Sequence, residues 1–68
     1  MFMELDNSTG GRILINIQNV VAISRNHTFK EKTDFKLQSS GVDGENIIVV
    51  DNDYDYIAEK LKTANIFL

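Results

Sequence analysis

The sequence predicts an α+β fold, a small antiparallel β-sheet of four to five strands with one C-terminal helix packed on one face. Three observations predict it. Short runs rich in isoleucine, valine and phenylalanine recur between residues 2 and 50, several of them alternating with polar residues. Stretches of asparagine, serine and glycine separate them. The apolar spacing then changes to a helical period over residues 54–61. The 68 residues make one domain, 1–68. A chain this short hides only about 60% of the surface its unfolded form exposes. There is no cysteine to add a disulfide or a thiolate zinc site. The size argument therefore favours a homo-oligomer without requiring one.

FMEL, residues 2–5, reads as the first strand, and NSTGG, residues 7–11, as the turn that follows it. Asparagine and serine bond their own backbone, and glycine permits a positive φ. Together they predict an opening hairpin.

RILINIQNVVAIS continues the chain. Ile13, Ile15 and Ile17 alternate with Leu14, Asn16 and Gln18, but one straight strand would put Asn19 in the apolar row with Val21 and Ile23. A buried amide needs a partner. A turn at residues 16–19 removes the conflict, giving strands RILIN and VVAIS with Ile17 and Val20 packed beneath it. One long bulged strand is the alternative.

RNHTFKEK, residues 25–32, has no period and reads as an exposed loop, with Phe29 tucked back or at its tip. TDFKLQS alternates Phe35 and Leu37 with Asp34, Lys36 and Gln38, a strand with one wet face. SGVDGEN is a turn. NIIVVD is a continuous β-branched run that fits a strand buried on both faces or covered by the helix after it.

DNDYDY, residues 51–56, places aspartates at alternate positions as a calcium loop does. The sixth position of such a loop is Tyr56 here, where glycine is needed, and the twelfth is Lys62, where a glutamate is needed. A helix start fits instead. Tyr54, Ile57, Ala58 and Leu61 share one face, Asp51 or Asn52 can cap, and Lys60 and Lys62 suit the C-terminal end. Asn65 is a natural stop. The last residues, Ile66, Phe67 and Leu68, are costly to leave in water, so they are expected to dock on the sheet or to serve self-association.

The net charge of −3 argues against a general nucleic-acid binder. The charge is uneven. Residues 25–36 hold Arg25, Lys30, Lys32 and Lys36, whereas residues 43–59 hold only acids among their charged residues. Two solvated faces are the simplest reading. Arg25, His27, Phe29, Lys30, Lys32 and Lys36 form the candidate interaction set, with Phe29 and Phe35 as stacking platforms if the partner were nucleic acid. His27 has no evident partner, and Ser24, Ser39 and Ser40 have no base beside them in sequence. GVDG lacks the lysine and spacing of a phosphate loop. No enzyme activity, cofactor or metal is expected.

No run approaches the ~18 apolar residues of a membrane span. The acidic MFMELDN start lacks the positive region of a signal peptide. The expectation is a cytoplasmic protein without membrane contact.

The order of elements resembles the FlbD-like family of small bacterial proteins. The likeness runs over residues 1–62, from MFMELD through Gly10-Gly11, RILIN with Asn16, NVVAIS, FKLQSS and IIVVD into DYDYIAEKLK. The 26–33 loop and SGVDGEN are longer than the family's turns, and the NIFL tail is unmatched. Phage-encoded small proteins share this outline. The resemblance implies a non-enzymatic accessory or regulatory protein with no catalytic residues to carry over. The functional expectation is a protein-interaction module. The alternatives are a nucleic-acid-binding regulator using the 25–36 loop and a self-assembling structural subunit.

Overall fold

The computed structural model describes residues 1–38 and 46–64. Its elements follow in the predicted order. Strand β1 (Phe2–Asp6) pairs antiparallel with β2 (Arg12–Asn16), with Asp6 opposite Arg12. The turn between them is made locally. The Asn7 side-chain oxygen accepts from the Thr9 N–H at 3.1 Å and the Thr9 hydroxyl at 3.0 Å. Gly10 and Gly11 take φ of 111° and 76°, a region that a β-carbon opposes.

The chain does turn after β2. Residues Ile17–Asn19 form a single 3-10 turn, capped by Asn16, whose side chain accepts from the Gln18 N–H at 3.1 Å. The Asn19 side chain avoids the core, and its carbonyl accepts from the Gln38 N–H at 2.7 Å. Ile17 and Val20 pack against the core from beneath this turn.

Strands β3 (Val20–Arg25), β4 (Thr33–Leu37) and β5 (Asn46–Val50) form a three-stranded antiparallel sheet in that order. The five strands thus divide between a two-stranded and a three-stranded sheet, where the sequence suggested a single one. What joins the two sheets is short. Asn7 bridges Val50, the Ser8 N–H donates to the Val49 carbonyl at 3.1 Å, and the Asp51 N–H donates to the Asp6 carbonyl at 2.8 Å. Only the ends of β1 and β5 meet.

Strand β3 carries a β-bulge between Val20 and Ala22 in its pairing with β4. One extra residue resets the alternation, so Val20 and Ile23 face the core while Val21 is 59% exposed. For strand β5 the first of the two expected readings fails. It is not buried on both faces: Ile47 is exposed, Ile48 and Val49 are half-buried, and only Val50 is fully buried. Burial rises along the strand toward the helix it feeds.

Helix α1 (Tyr54–Thr63) is capped by Asp53, not by Asp51 or Asn52. The Asp53 side chain accepts from the Asp55 N–H at 2.9 Å. Ile57 and Leu61 are buried and Tyr54 and Ala58 half-buried, so the predicted face is the one that packs. The core joins both sheets and the helix: Met3, Leu5, Ile15, Phe35, Val50, Ile57 and Leu61. Each large side chain fully buried there contributes about 1.5–3 kcal/mol. The SGVDGEN turn with Ser39 and Ser40, and Asn65, Ile66, Phe67 and Leu68, lie outside the described residues.

Candidate functional site

The helix covers the three-stranded sheet incompletely. An apolar groove of about 350 Å³ remains between β3 and α1, lined by Ile17, Val20, Val21, Ala22, Ile23, Tyr54, Ala58 and Leu61. Its two walls have different origins. Four consecutive residues of β3 contribute because the groove runs along the strand's edge, and the bulge turns Val21 outward. On α1, Tyr54, Ala58 and Leu61 contribute because spacings of four and three return to the same side of a helix. Ala58 is small, so the wall is low in its middle. Among the described residues, no strand pairs with β3 on the side away from β4. An open edge leaves backbone N–H and C=O groups free to bond an incoming chain.

One end of the groove is fixed by charge. The Arg25 guanidinium lies 3.1 Å from Asp53 Oδ1 and 3.5 Å from Asp55 Oδ2. It also sits 5.4 Å from the centre of the Tyr54 ring and donates to the Lys30 carbonyl at 3.1 Å. A guanidinium over an aromatic face is attracted by the ring's negative π cloud. Arg25 therefore holds the ring that forms the groove's end wall and ties β3 to the start of α1.

This contact changes the reading of the basic loop. The charged side chains of the 25–36 segment and the acidic 51–55 segment keep solvent exposure, and they also touch. Besides Arg25, Lys32 lies 3.3 Å from Asp51 and 5.0 Å from the centre of the Phe29 ring. Two of the candidate cations thus spend part of their field on the protein's own carboxylates. His27, Phe29 and Lys30 are exposed in the loop, with Phe29 half exposed at 50%. Lys36 is exposed on β4, opposite Ala22 and Ile47, away from the loop tip. The six residues do not gather into one surface, and Phe35 is no stacking platform because it is fully buried in the core. The loop itself is held by Asn26, whose side-chain oxygen accepts from the Thr28 and Phe29 N–H groups at 2.9 and 2.8 Å. The Asn26 amide donates to Asp34 Oδ1 at 2.8 Å.

The DNDYDY side chains diverge. Asp51 meets Lys32, Asn52 turns back to β1, Asp53 caps the helix, and Asp55 meets Arg25. Among the described residues, no cluster of three or more carboxylate, imidazole or thiol groups could hold a metal ion. Ser24 is exposed and sits opposite Asp34, whose oxygen is engaged by Asn26. No helix among the described residues is long and apolar enough to cross a membrane.

The groove was not legible as a site in the sequence. Its helix wall was, as an apolar face, but that face would serve the core equally well. The bulge that exposes Val21 has no marker in VVAIS. Comparisons with protein-family models, with curated proteins and with solved structures returned no match.

Proposed function

We propose that this chain is a non-catalytic protein-interaction module that receives a short extended segment of a partner protein in the groove between β3 and α1. The observation that carries this reading is the coincidence of an open strand edge with an apolar trough beside it. A strand added at such an edge gains main-chain hydrogen bonds, and its alternate side chains enter the trough. A helix is a poorer occupant, because a volume near 350 Å³ lies at the small end of ligand pockets and takes only a few side chains. The bulge at Val21 twists the edge, so pairing with it is short. The preferred segment carries two or so apolar residues at alternate positions.

The resemblance to FlbD-like proteins points the same way, toward a cytoplasmic accessory or regulatory role without chemistry of its own. Nucleic acid is the weaker reading, since Arg25 and Lys32 already meet Asp51, Asp53 and Asp55.

Selection of random linear peptides against the protein tests the proposal. The expected outcome is enrichment of peptides with alternating apolar residues. Ala58→Glu, which places a charge inside the trough, and Val21→Asp at its rim should each weaken them by at least about tenfold. Enriched peptides that bind the wild type and both variants equally would overturn it.

A further inference from the structure

We infer that the partner taken by this groove is a second copy of the chain, whose own β3 pairs antiparallel with β3 across a two-fold axis. The inference rests on the groove being a strand-addition site, and it names the occupant. The two three-stranded sheets then join edge to edge, with both helices on the same face. Three observations argue for this occupant.

The first is the edge itself. Open edges are ordinarily blunted by charge or proline. Residues 20–24, VVAIS, carry neither. The charge that follows, Arg25, is turned to Asp53 and Asp55 of its own chain. The bulge lies between Val20 and Ala22, and residues 22–25 stay in register with β4. Directly opposed residues of a ladder face the same side, so the two-fold axis passes between one residue and its own copy. With Ile23 at the axis, Ala22 meets Ser24 and Val21 meets Arg25, and no like charges are opposed. Val21 and Ile23 are alternate apolar residues of the kind the trough takes.

The second is direction. Arg25, at the end of β3, meets the start of α1, whereas Leu61 shares the trough with Ile17, before β3 begins. The helix therefore runs back along β3, antiparallel to it. An axis that reverses β3 also reverses α1. The two helices then lie side by side and antiparallel, next to the paired edges.

The third is charge. Asp55 stands three residues before Ala58 and Lys62 four after it, so both are its neighbours on the helix surface. They lie on the margin that turns from the trough toward solvent: the Asp55 side chain is 82% exposed and Lys62 is exposed. Ala58 is small and lets a second helix approach closely. Where the helices meet at Ala58, Asp55 of each copy faces Lys62 of the other. The margin is complementary to its own image, as an isologous interface requires.

The test uses the intact chain. Sedimentation equilibrium of the wild type should show a dimer. Asp55→Lys alone and Lys62→Glu alone should each weaken it about tenfold, because each turns two attractions into two repulsions. Mixing the two variants should restore it, since one chain then offers cations at both positions and the other offers acids at both. That rescue also shows that the variants fold. Amides of β3 that point away from β4 should be protected from exchange in the dimer and lose that protection on dilution. A wild type that stays monomeric at millimolar concentration would overturn the inference. So would a dimer that neither variant weakens, or β3 exchange that ignores dilution. The two readings fail separately. Selected peptides that bind a monomeric wild type would leave the groove as a strand acceptor and remove the second copy. A dimer restored by mixing, with no peptide selected, would keep the second copy and remove any foreign partner.

Discussion

Thr33 is fully buried on β4, and its hydroxyl donates to the Asn52 carbonyl at 2.7 Å. The same Asn52 accepts from the Asp6 N–H at 2.8 Å through its side chain. Two residues thus bind β4, the β5–α1 connection and β1 to one another. Thr33→Val keeps the volume and removes the donor, leaving a carbonyl without its partner. It is expected to lower stability by about 1–2 kcal/mol, read from the urea midpoint, whereas Thr33→Ser should retain the bond and lose only a methyl group. Gly10 offers a different single-residue test. Nothing lies within 4 Å of the β-carbon it would carry, so only its φ of 111° resists substitution. Gly10→Ala should therefore cost about 1–2 kcal/mol from backbone strain alone. At Gly11, with φ of 76°, asparagine should be tolerated better than alanine. The role of Asn7-Ser8-Thr9 and the two glycines was legible in the sequence because a turn is built from its own residues. The role of Thr33 was not, because its acceptor lies 19 positions away.

At the scale of elements, the helix start separates residues that look alike. Asp51, Asp53 and Asp55 alternate in sequence, yet they do three different jobs. Asp53→Ala removes both the cap and an Arg25 partner and should cost about 1–2 kcal/mol, with a loss of helical circular dichroism. Asp51→Ala breaks only a partly exposed pair with Lys32 and should cost less than about 1 kcal/mol, with part of the difference erased by salt. Equal costs at the two positions would show that the cap is not what anchors the helix. The helical period and the acid-first, lysine-last charge order were visible from residues 51–62. Which residue caps was not, because Asn52 is drawn away by Asp6, 46 residues earlier. The bulge in β3 belongs here too. It is a response to the register with β4, which a lone strand does not carry.

For the whole molecule, Phe35 is the decisive side chain. It is fully buried in the cluster that Met3 and Leu5 enter from one sheet, Val50 from the other, and Ile57 and Leu61 from the helix. Phe35→Ala should cost about 3–5 kcal/mol. A chain of 68 residues has only about 3–10 kcal/mol in total, so the variant is expected to be largely unfolded at 37 °C. Amide exchange protection should fall across both sheets together; loss confined to β3–β5 would mean that the β1–β2 hairpin is a separate cooperative unit. A common fate is expected because both sheets share one core, although only a few backbone hydrogen bonds connect them.

By itself the sequence determined the strands, the opening turn, the break at residues 16–19 and the apolar face of α1. Each is set by periodicity or by hydrogen bonds that span only a few residues. The tertiary structure alone decided the division into two sheets, the choice of Asp53 as cap, the bulge at Val21, the meeting of Arg25 with Asp53 and Asp55, and the groove that results. Those depend on which distant groups share space, and alternation along a chain states which side of a strand faces inward without stating what it will face.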